Sequence, residues 1–461
     1  MKQLPFNNLE EMINTSGNPV FALRGSQIGP FPFPGVAPEY TNWRDEQRAW
    51  QEAVAILNLS HHETDVYISG PDAIKLFSRI GANRFDNFPV NRAKQLCCCN
   101  PDGFLIADGI LFHLEEDLYR VAGTPMICNY VQYHAETGGY DVSADREDNS
   151  LLREGPPRLF MYQIQGPNAL ELMRRVTDGE MPDIGFFHIG NFSIKDIPVR
   201  ALRHGMAGSP GFEVFGDWSN GEKIMDLLVE AGQDLGVRKV GSLAYPTTSV
   251  ESAWLALPIP AIYDHPDLQG YRQWLTARNP EVIASLGGSF VSDNIQDYYV
   301  RPEELGYARF IDFNHDFIGK DALLGSIDSP ARKKVTLVWN KDDAAEVLSS
   351  SLLDEETNAK FPTLPLCVYS MFQYDTVMQG NRQVGFAQYT INSANARAFL
   401  SLAVIDVAVS EPGTELTLLW GEPDTKRPTV ESHVMRKVRV TVAPAPFYEK
   451  KIAQGNSWPA R

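Results

Sequence analysis

The chain has 461 residues, 58 of them acidic and 41 basic, for a net charge of −17 and a pI near 5.0. Such an acidic balance disfavours nucleic acid, which needs a basic footprint, and no run nears the roughly 18 apolar residues that cross a bilayer. The first residues lack the apolar stretch of a signal peptide, so a cytoplasmic protein of two or three domains is expected.

In chain order, a helix is expected from about Asn42 to Leu57, with Trp43, Gln47, Trp50, Val54 and Leu57 on one core-facing stripe. An internal repeat follows. Val66-Tyr-Ile-Ser-Gly-Pro-Asp-Ala-Ile-Lys-Leu-Phe-Ser-Arg-Ile80 overlays Tyr162-Gln-Ile-Gln-Gly-Pro-Asn-Ala-Leu-Glu-Leu-Met-Arg-Arg-Val176 at a constant offset of 96 residues. Each copy has an alternating strand, a Gly-Pro turn, and Asp72 or Asn168 placed to cap an amphipathic helix. Hairpin turns are expected at Asn100-Pro101-Asp102-Gly103 and at Leu114–Leu118, so the repeats read as two α+β subdomains of similar build.

The five cysteines, Cys97, Cys98, Cys99, Cys128 and Cys367, are odd in number and irregularly spaced, against a disulfide framework or zinc cage. Successive residues of a strand face opposite ways, so buried thiols are expected at 97–99. The Gly-rich stretches 204–216 and 240–254 read as loops entering ordered elements. Residues 279–317 are rich in Gly, Asp, Asn and aromatics, and Gly319–Leu323 reads as a short helix. Beyond it, 334–339, 398–405, 415–420 and 437–442 alternate as strands of a separate β-rich domain, and 454–461 read as a loose end.

There is no Walker loop, no G-x-G-x-x-G after a strand, no H-E-x-x-H and no G-x-S-x-G. Adjacency puts His61 and His62 on different faces, against joint metal ligation, and no metal is expected. Glu213 alternates with Phe212 and Val214, and pattern alone reads it as a solvated strand residue.

Gly205-Met-Ala-Gly208, Gly211-Phe-Glu213, the paired Ile-x-Gly-Pro motifs and Phe317–Leu323 before a β-rich tail together resemble the glycine-cleavage T-protein (aminomethyltransferase) family over roughly residues 20 to 447. Ser26–Gly29, Ala37-Pro-Glu39, Asn42-Trp-Arg44, His61-His62, Ala244-Tyr-Pro246, Glu251-Ser252, Trp254 and Gly287–Ser292 look more narrowly like bacterial tetrahydrofolate-dependent aromatic O-demethylases. The resemblance implies an α+β cloverleaf of three domains: a folate-binding region at 1–331 with repeats near 64–125 and 160–216, a β-barrel-like domain at 332–447, and a tail at 448–461. It further implies tetrahydrofolate bound by Glu213, Trp254 and Val121. Tyr245 and His62 are the implied catalytic pair, and Phe31, Phe33, His61 and Thr124 the implied lining of a methoxyaromatic site.

The aminomethyltransferases proper read Ala-Arg-Asp where this chain has Ala244-Tyr245-Pro246. Relatives that take methoxybenzoates carry an arginine near Ala122–Pro125, where this chain has Gly123 and Thr124, and tyrosines at Phe31 and Phe33. The implied substrate is therefore an apolar or uncharged methoxyaromatic, unless Arg120, whose direction alternation leaves open, holds a carboxylate. Two other readings stay open: methyl or aminomethyl transfer on an aliphatic amine or sulfonium compound, and folate binding without catalysis. Nothing in the sequence sets an oligomeric state.

Overall fold

The two repeats form the same local structure for the same reason. In each, a strand (Thr64–Ser69 or Leu159–Gln165) meets a helix (Ala73–Ile80 or Ala169–Val176) through a glycine at φ +131° (Gly70) or +128° (Gly166). A Cβ at Gly70 would lie 2.4 Å from the Asp141 carbonyl oxygen, and one at Gly166 2.7 Å from that of Ala53, so backbone approach and conformation both demand glycine. Asp72 and Asn168 hold the N-cap positions but make no capping bond. Asp72 is taken up by Lys75 and the Asp141 N–H, and Asn168 donates to the Leu235 carbonyl.

In the computed structural model, which describes residues 5–353, 357–423 and 427–448, each repeat belongs to its own sheet. The first is antiparallel, ordered Arg92–Cys99, Leu105–Glu115, Leu118–Gly123, Thr64–Ser69, Ser143–Glu147. The second runs Val237–Val240, Val54–Asn58, Leu159–Gln165, Gly211–Asp217, Ile197–Arg203, Ile189–Ile194, parallel only between its first two strands. Both expected hairpin turns form, the first closed by the Gly103 N–H on the Asn100 carbonyl. The helix expected to Leu57 spans Trp43–Glu52, because Ala53 leaves helical geometry at φ −140°, ψ −115° and Val54–Asn58 enters the second sheet. The repeat units are thus interleaved in sequence, a strand of the second sheet preceding the first.

Alternation gives every strand two apolar faces. Val66, Val121 and Leu111 face the helices of the first sheet, and Ile164, Phe212 and Val214 those of the second. The opposite faces meet in a layer that includes Ala55, Leu57, Phe112, Ala122, Met161, Leu202 and Phe215, with Phe112 and Phe215 edge to face at 5.9 Å. Cys97, Cys98 and Cys99 are fully buried free thiols, as are Cys128 and Cys367. A chain of short turns from 241 to 331 then leads, past the helix Lys320–Leu324, to a closed six-stranded barrel, ordered Arg332–Trp339, Ala398–Asp406, Arg382–Ser393, Asp375–Gln379, Glu415–Trp420, Arg436–Ala443. Of the expected tail, residues 449–461 lie outside the described residues. Among the described residues no helix is long and apolar enough to cross a membrane.

One buried carboxylate ties barrel to sheets. Glu251, fully buried, accepts from Trp50 Nε1 at 2.8 Å and Ser393 Oγ at 2.7 Å, with Asn395 Nδ2 at 3.3 Å. Removing it strands several buried donors at once. Glu251→Ala is expected to lower unfolding free energy by about 3 kcal/mol or more and Glu251→Gln by clearly less, read from urea denaturation. A loss below about 1 kcal/mol for the alanine variant would show that the joint is held elsewhere.

Candidate active site

Strand alternation delivers charged groups into the layer between the sheets. Arg120, beside the outward-facing Val121, is fully buried there, with its guanidinium 4.9 Å from the Phe112 ring and 5.6 Å from that of Phe215. Its Nε donates to Asp65 Oδ1 at 2.9 Å, a second nitrogen contacts Met161 Sδ, and Nη1 is buried without a partner. Burial opposes its charge, but Asp65, Tyr67, Glu213 and Glu63 outweigh that and hold the guanidinium protonated. Arg120 thus points inward, committed to Asp65.

Glu213 projects into the same layer, opposite Gln163 in the strand register. It is 3 % exposed, so the solvated position suggested by its pattern is not the one it takes: the second sheet covers one face and the first sheet the other. Its Oε1 and the Gln163 Oε1 are both buried without partners. Burial lifts the Glu213 carboxyl to about 7, Asp65 adding to the rise and Arg120 opposing it. Glu63 is raised well above the usual carboxylate range, first by burial and then by Glu213.

Next to these carboxylates stands an aromatic cluster. Tyr245, in the turn Tyr245–Thr247, shares a hydrogen bond with His62 Nε2 at 2.9 Å, and Phe33 packs 5.1 Å from the tyrosine ring and 5.0 Å from the imidazole. Phe31 lies edge-on to Phe33 at 6.0 Å. Burial, then the neighbouring His61, lowers His62 to about 3, so the ring is neutral at physiological pH. Burial, then Glu63 and Glu213, raises the Tyr245 phenol well above its ordinary value, so it keeps its proton. His62 Nδ1 is buried without a partner. The Tyr245–His62 bond can run either way according to the imidazole tautomer; with the ring proton on Nε2, the Tyr245 hydroxyl proton is left for a third group.

Tyr245, His62, Phe31 and Phe33 therefore come together, with Glu213 in electrostatic reach of Tyr245. The remaining sequence candidates make their contacts outside this cluster. His61 turns the other way, bonding Ser150 Oγ at 2.9 Å and packing on Trp218. Val121 is fully buried in the helix-side core. Thr124 lines a small cavity with Asp108, Met126 and Leu257. Trp254 is half-buried, its indole N–H on Asp108. Glu63 and Gln163 are not among the sequence candidates. Gln163 and Gln165, alternating in an otherwise apolar strand, are the signal that marks a polar interior face.

A carboxyl raised from 4.5 to about 7 binds more protons folded than unfolded within that window. Its stabilisation is complete below the unfolded value and is lost as pH rises through the folded one. In the absence of ligand, Glu213→Gln is accordingly expected to be more stable than the parent at pH 8 and level with it at pH 5, by thermal or urea unfolding. Equal stability at pH 8 would show that the native carboxylate is compensated.

The family model of the GCVT N-terminal domain matches residues 26–258. Syringate O-demethylase of Sphingobium sp. (strain NBRC 103272 / SYK-6) is 37 % identical over 443 residues, 95 % of this chain and 96 % of that one. Sesamin methylene transferase of Sinomonas sp. (strain No.22) is 30 % identical over 431 residues, covering 90 % and 91 %. The crystal structure of glycine cleavage system aminomethyltransferase T from Bartonella henselae has the same fold, with a TM-score of 0.59 at 14 % identity over 95 % of this chain and 96 % of that one. Two sheets, a barrel and a sequence match along nearly the whole length place the chain in the T-protein (aminomethyltransferase) family, on the side of its aromatic O-demethylases.

Proposed function

We propose that the protein is a tetrahydrofolate-dependent O-demethylase, moving the methyl group of a methoxyaromatic compound to N5 of tetrahydrofolate. The observation that carries this is a protonated tyrosine bonded to a neutral histidine, within an aromatic cluster beside a buried carboxyl group whose Oε1 lacks a partner. The relatives that act on syringate and on sesamin support it. A cluster of aromatic side chains suits an aryl ether better than an aliphatic amine.

The residues fit the cofactor. Glu213 and Gln163 offer two unpartnered buried acceptors from adjacent strands, and a pterin edge presents adjacent N–H donors. When bound, tetrahydrofolate supplies N5, whose proton is exchanged for the methyl group, giving 5-methyltetrahydrofolate and a phenol. Glu213 and Gln163 would fix the pterin edge, and the half-buried Trp254 would offer its ring face. Phe31 and Phe33 would orient the arene and exclude water. As the ether C–O bond breaks, the departing oxygen, that of a phenol with an ordinary pKa of roughly 10 enclosed in the same layer as Tyr245, takes the tyrosine's hydroxyl proton, and the proton given up at N5 would restore the tyrosine through solvent. His62 Nε2–H then holds the tyrosine oxygen, and its Nδ1 lone pair suits a ring hydroxyl beside the ether.

Roles and readouts should separate. Tyr245→Phe is expected to slow single-turnover demethylation by at least about 10²-fold with folate affinity nearly unchanged. Glu213→Gln is expected to weaken folate binding by about 1.5–3 kcal/mol, measured by calorimetry. A tyrosine variant at the parental rate would move the acid to another group.

Substrate charge follows from the same layer. Arg120 is spent on Asp65, and Glu213 adds a further negative charge as it ionises, so a substrate carboxylate would face repulsion. Guaiacol is expected to show a higher kcat/KM than vanillate. The reverse order, abolished by Arg120→Lys, would mean that Nη1 of Arg120 binds the acid group.

A further inference from the structure

The backbone at Trp254 is tied to its own segment, with the Trp254 N–H on the Ser249 carbonyl at 2.8 Å and the Ala253 N–H on the Val250 carbonyl at 3.1 Å, but neither bond orients the indole ring. Trp254 follows Ala253, a non-glycine residue at φ +57°, just past the four-residue helix Thr248–Glu251. Two bonds from other parts of the molecule add the ring and the Ala253 carbonyl to that frame. Trp254 Nε1 donates to Asp108 Oδ2 at 3.1 Å, and Lys334 Nζ, from the first barrel strand, donates to the Ala253 carbonyl at 2.5 Å.

Asp108 Oδ2 also accepts from Gln95 Nε2 at 2.6 Å and from the Tyr307 hydroxyl at 3.2 Å. Three donors converging on one oxygen, in a residue 6 % exposed, call for an ionised carboxylate rather than a neutral acid. Lys334 lies 5.7 Å from the Tyr307 ring and supplies the compensating charge. Burial lowers its ammonium to about 8, against the pull of Asp108. The first sheet and the barrel thus grip one dipeptide from two sides.

We propose that Asp108 and Lys334 are positioning residues that together set the orientation of the Trp254 ring, so that the barrel takes part in forming the folate site. This rests on the reading that Trp254 borders the folate. The test uses the full chain labelled with 5-fluorotryptophan. Its eight tryptophans give eight ¹⁹F resonances, and Trp254→Phe assigns the one of interest. Asp108→Asn, nearly isosteric, and Lys334→Met are each expected to shift or broaden the Trp254 resonance, while signals from the barrel tryptophans 339 and 420 stay in place and report an intact fold. The KM for tetrahydrofolate is expected to rise about tenfold or more, the scale of one charge-assisted bond, with kcat within about threefold. Lys334→Arg, which can still reach the carbonyl, is expected to restore most of the affinity. Tyr307→Phe, which removes a single oxygen atom, serves if Asp108→Asn does not fold, and should give a smaller shift. An unmoved Trp254 resonance in the Asp108 or Tyr307 variant together with the Lys334 variant overturns the clamp. A normal folate KM in Trp254→Phe instead overturns the placement of Trp254 at the folate, whatever the resonances show.

Discussion

A guanidinium buried between two sheets is the constraint on which this molecule turns. Arg120 is fully enclosed, with phenylalanine rings 4.9 and 5.6 Å away, in a layer built largely from aliphatic and aromatic side chains. A lone charge there would cost several kcal/mol even after relaxation, and Asp65 compensates most of it. Glu63 and Glu213 share the field and pull the other way. The layer thus holds one fixed cation, its partner Asp65, which burial raises and Arg120 lowers, and two further acids raised by burial. Loosening Arg120 would alter every one of these groups together.

That arrangement lets the same interior serve two ends of a reaction. At one end, unpartnered acceptors on adjacent strands wait for donors. At the other, a histidine kept neutral and a tyrosine kept protonated share one hydrogen bond, so the proton needed by the departing oxygen is already in place. Burial and the acids next to the tyrosine strengthen its hold on that proton, so it leaves only for an oxygen whose negative charge develops in the same enclosed layer.

Much of the architecture was legible in the chain because it is carried by local rules. The Gly-Pro repeat reports a strand, a tight glycine and a helix twice over, and alternation exposed four barrel strands. The strands Asp375–Gln379 and Arg382–Ser393 lie outside the four expected, and the helix after Asn42 ends earlier than its apolar stripe, which continues into Val54–Leu57, where periodicity alone does not separate helix from strand. The site divides in the same way. Family likeness led to Glu213, Tyr245, His62 and Phe33, which the fold gathers, whereas His61 and Val121 fall on opposite faces from their neighbours. The inward turn of Arg120, the pairing of Gln163 with Glu213 and the bond from Asp108 to Trp254 are made by residues far apart in sequence, and no local pattern carries them.

The interleaving of the two sheets bears on how the chain is made. Val54–Asn58 lies inside the second sheet, between Leu159–Gln165 and Val237–Val240, so both of its partners are synthesised after the whole first sheet. On a ribosome adding about 5–20 residues per second, an apolar strand with two open edges waits roughly 5–20 s for its first neighbour and longer for its second. During that interval the first sheet can close on itself, but its inner face has nothing to rest on, and Arg120 sits on that face exposed to water. The nascent chain is then most vulnerable to strand-mediated association, and a holding chaperone at that stage would matter more than one acting on the finished barrel.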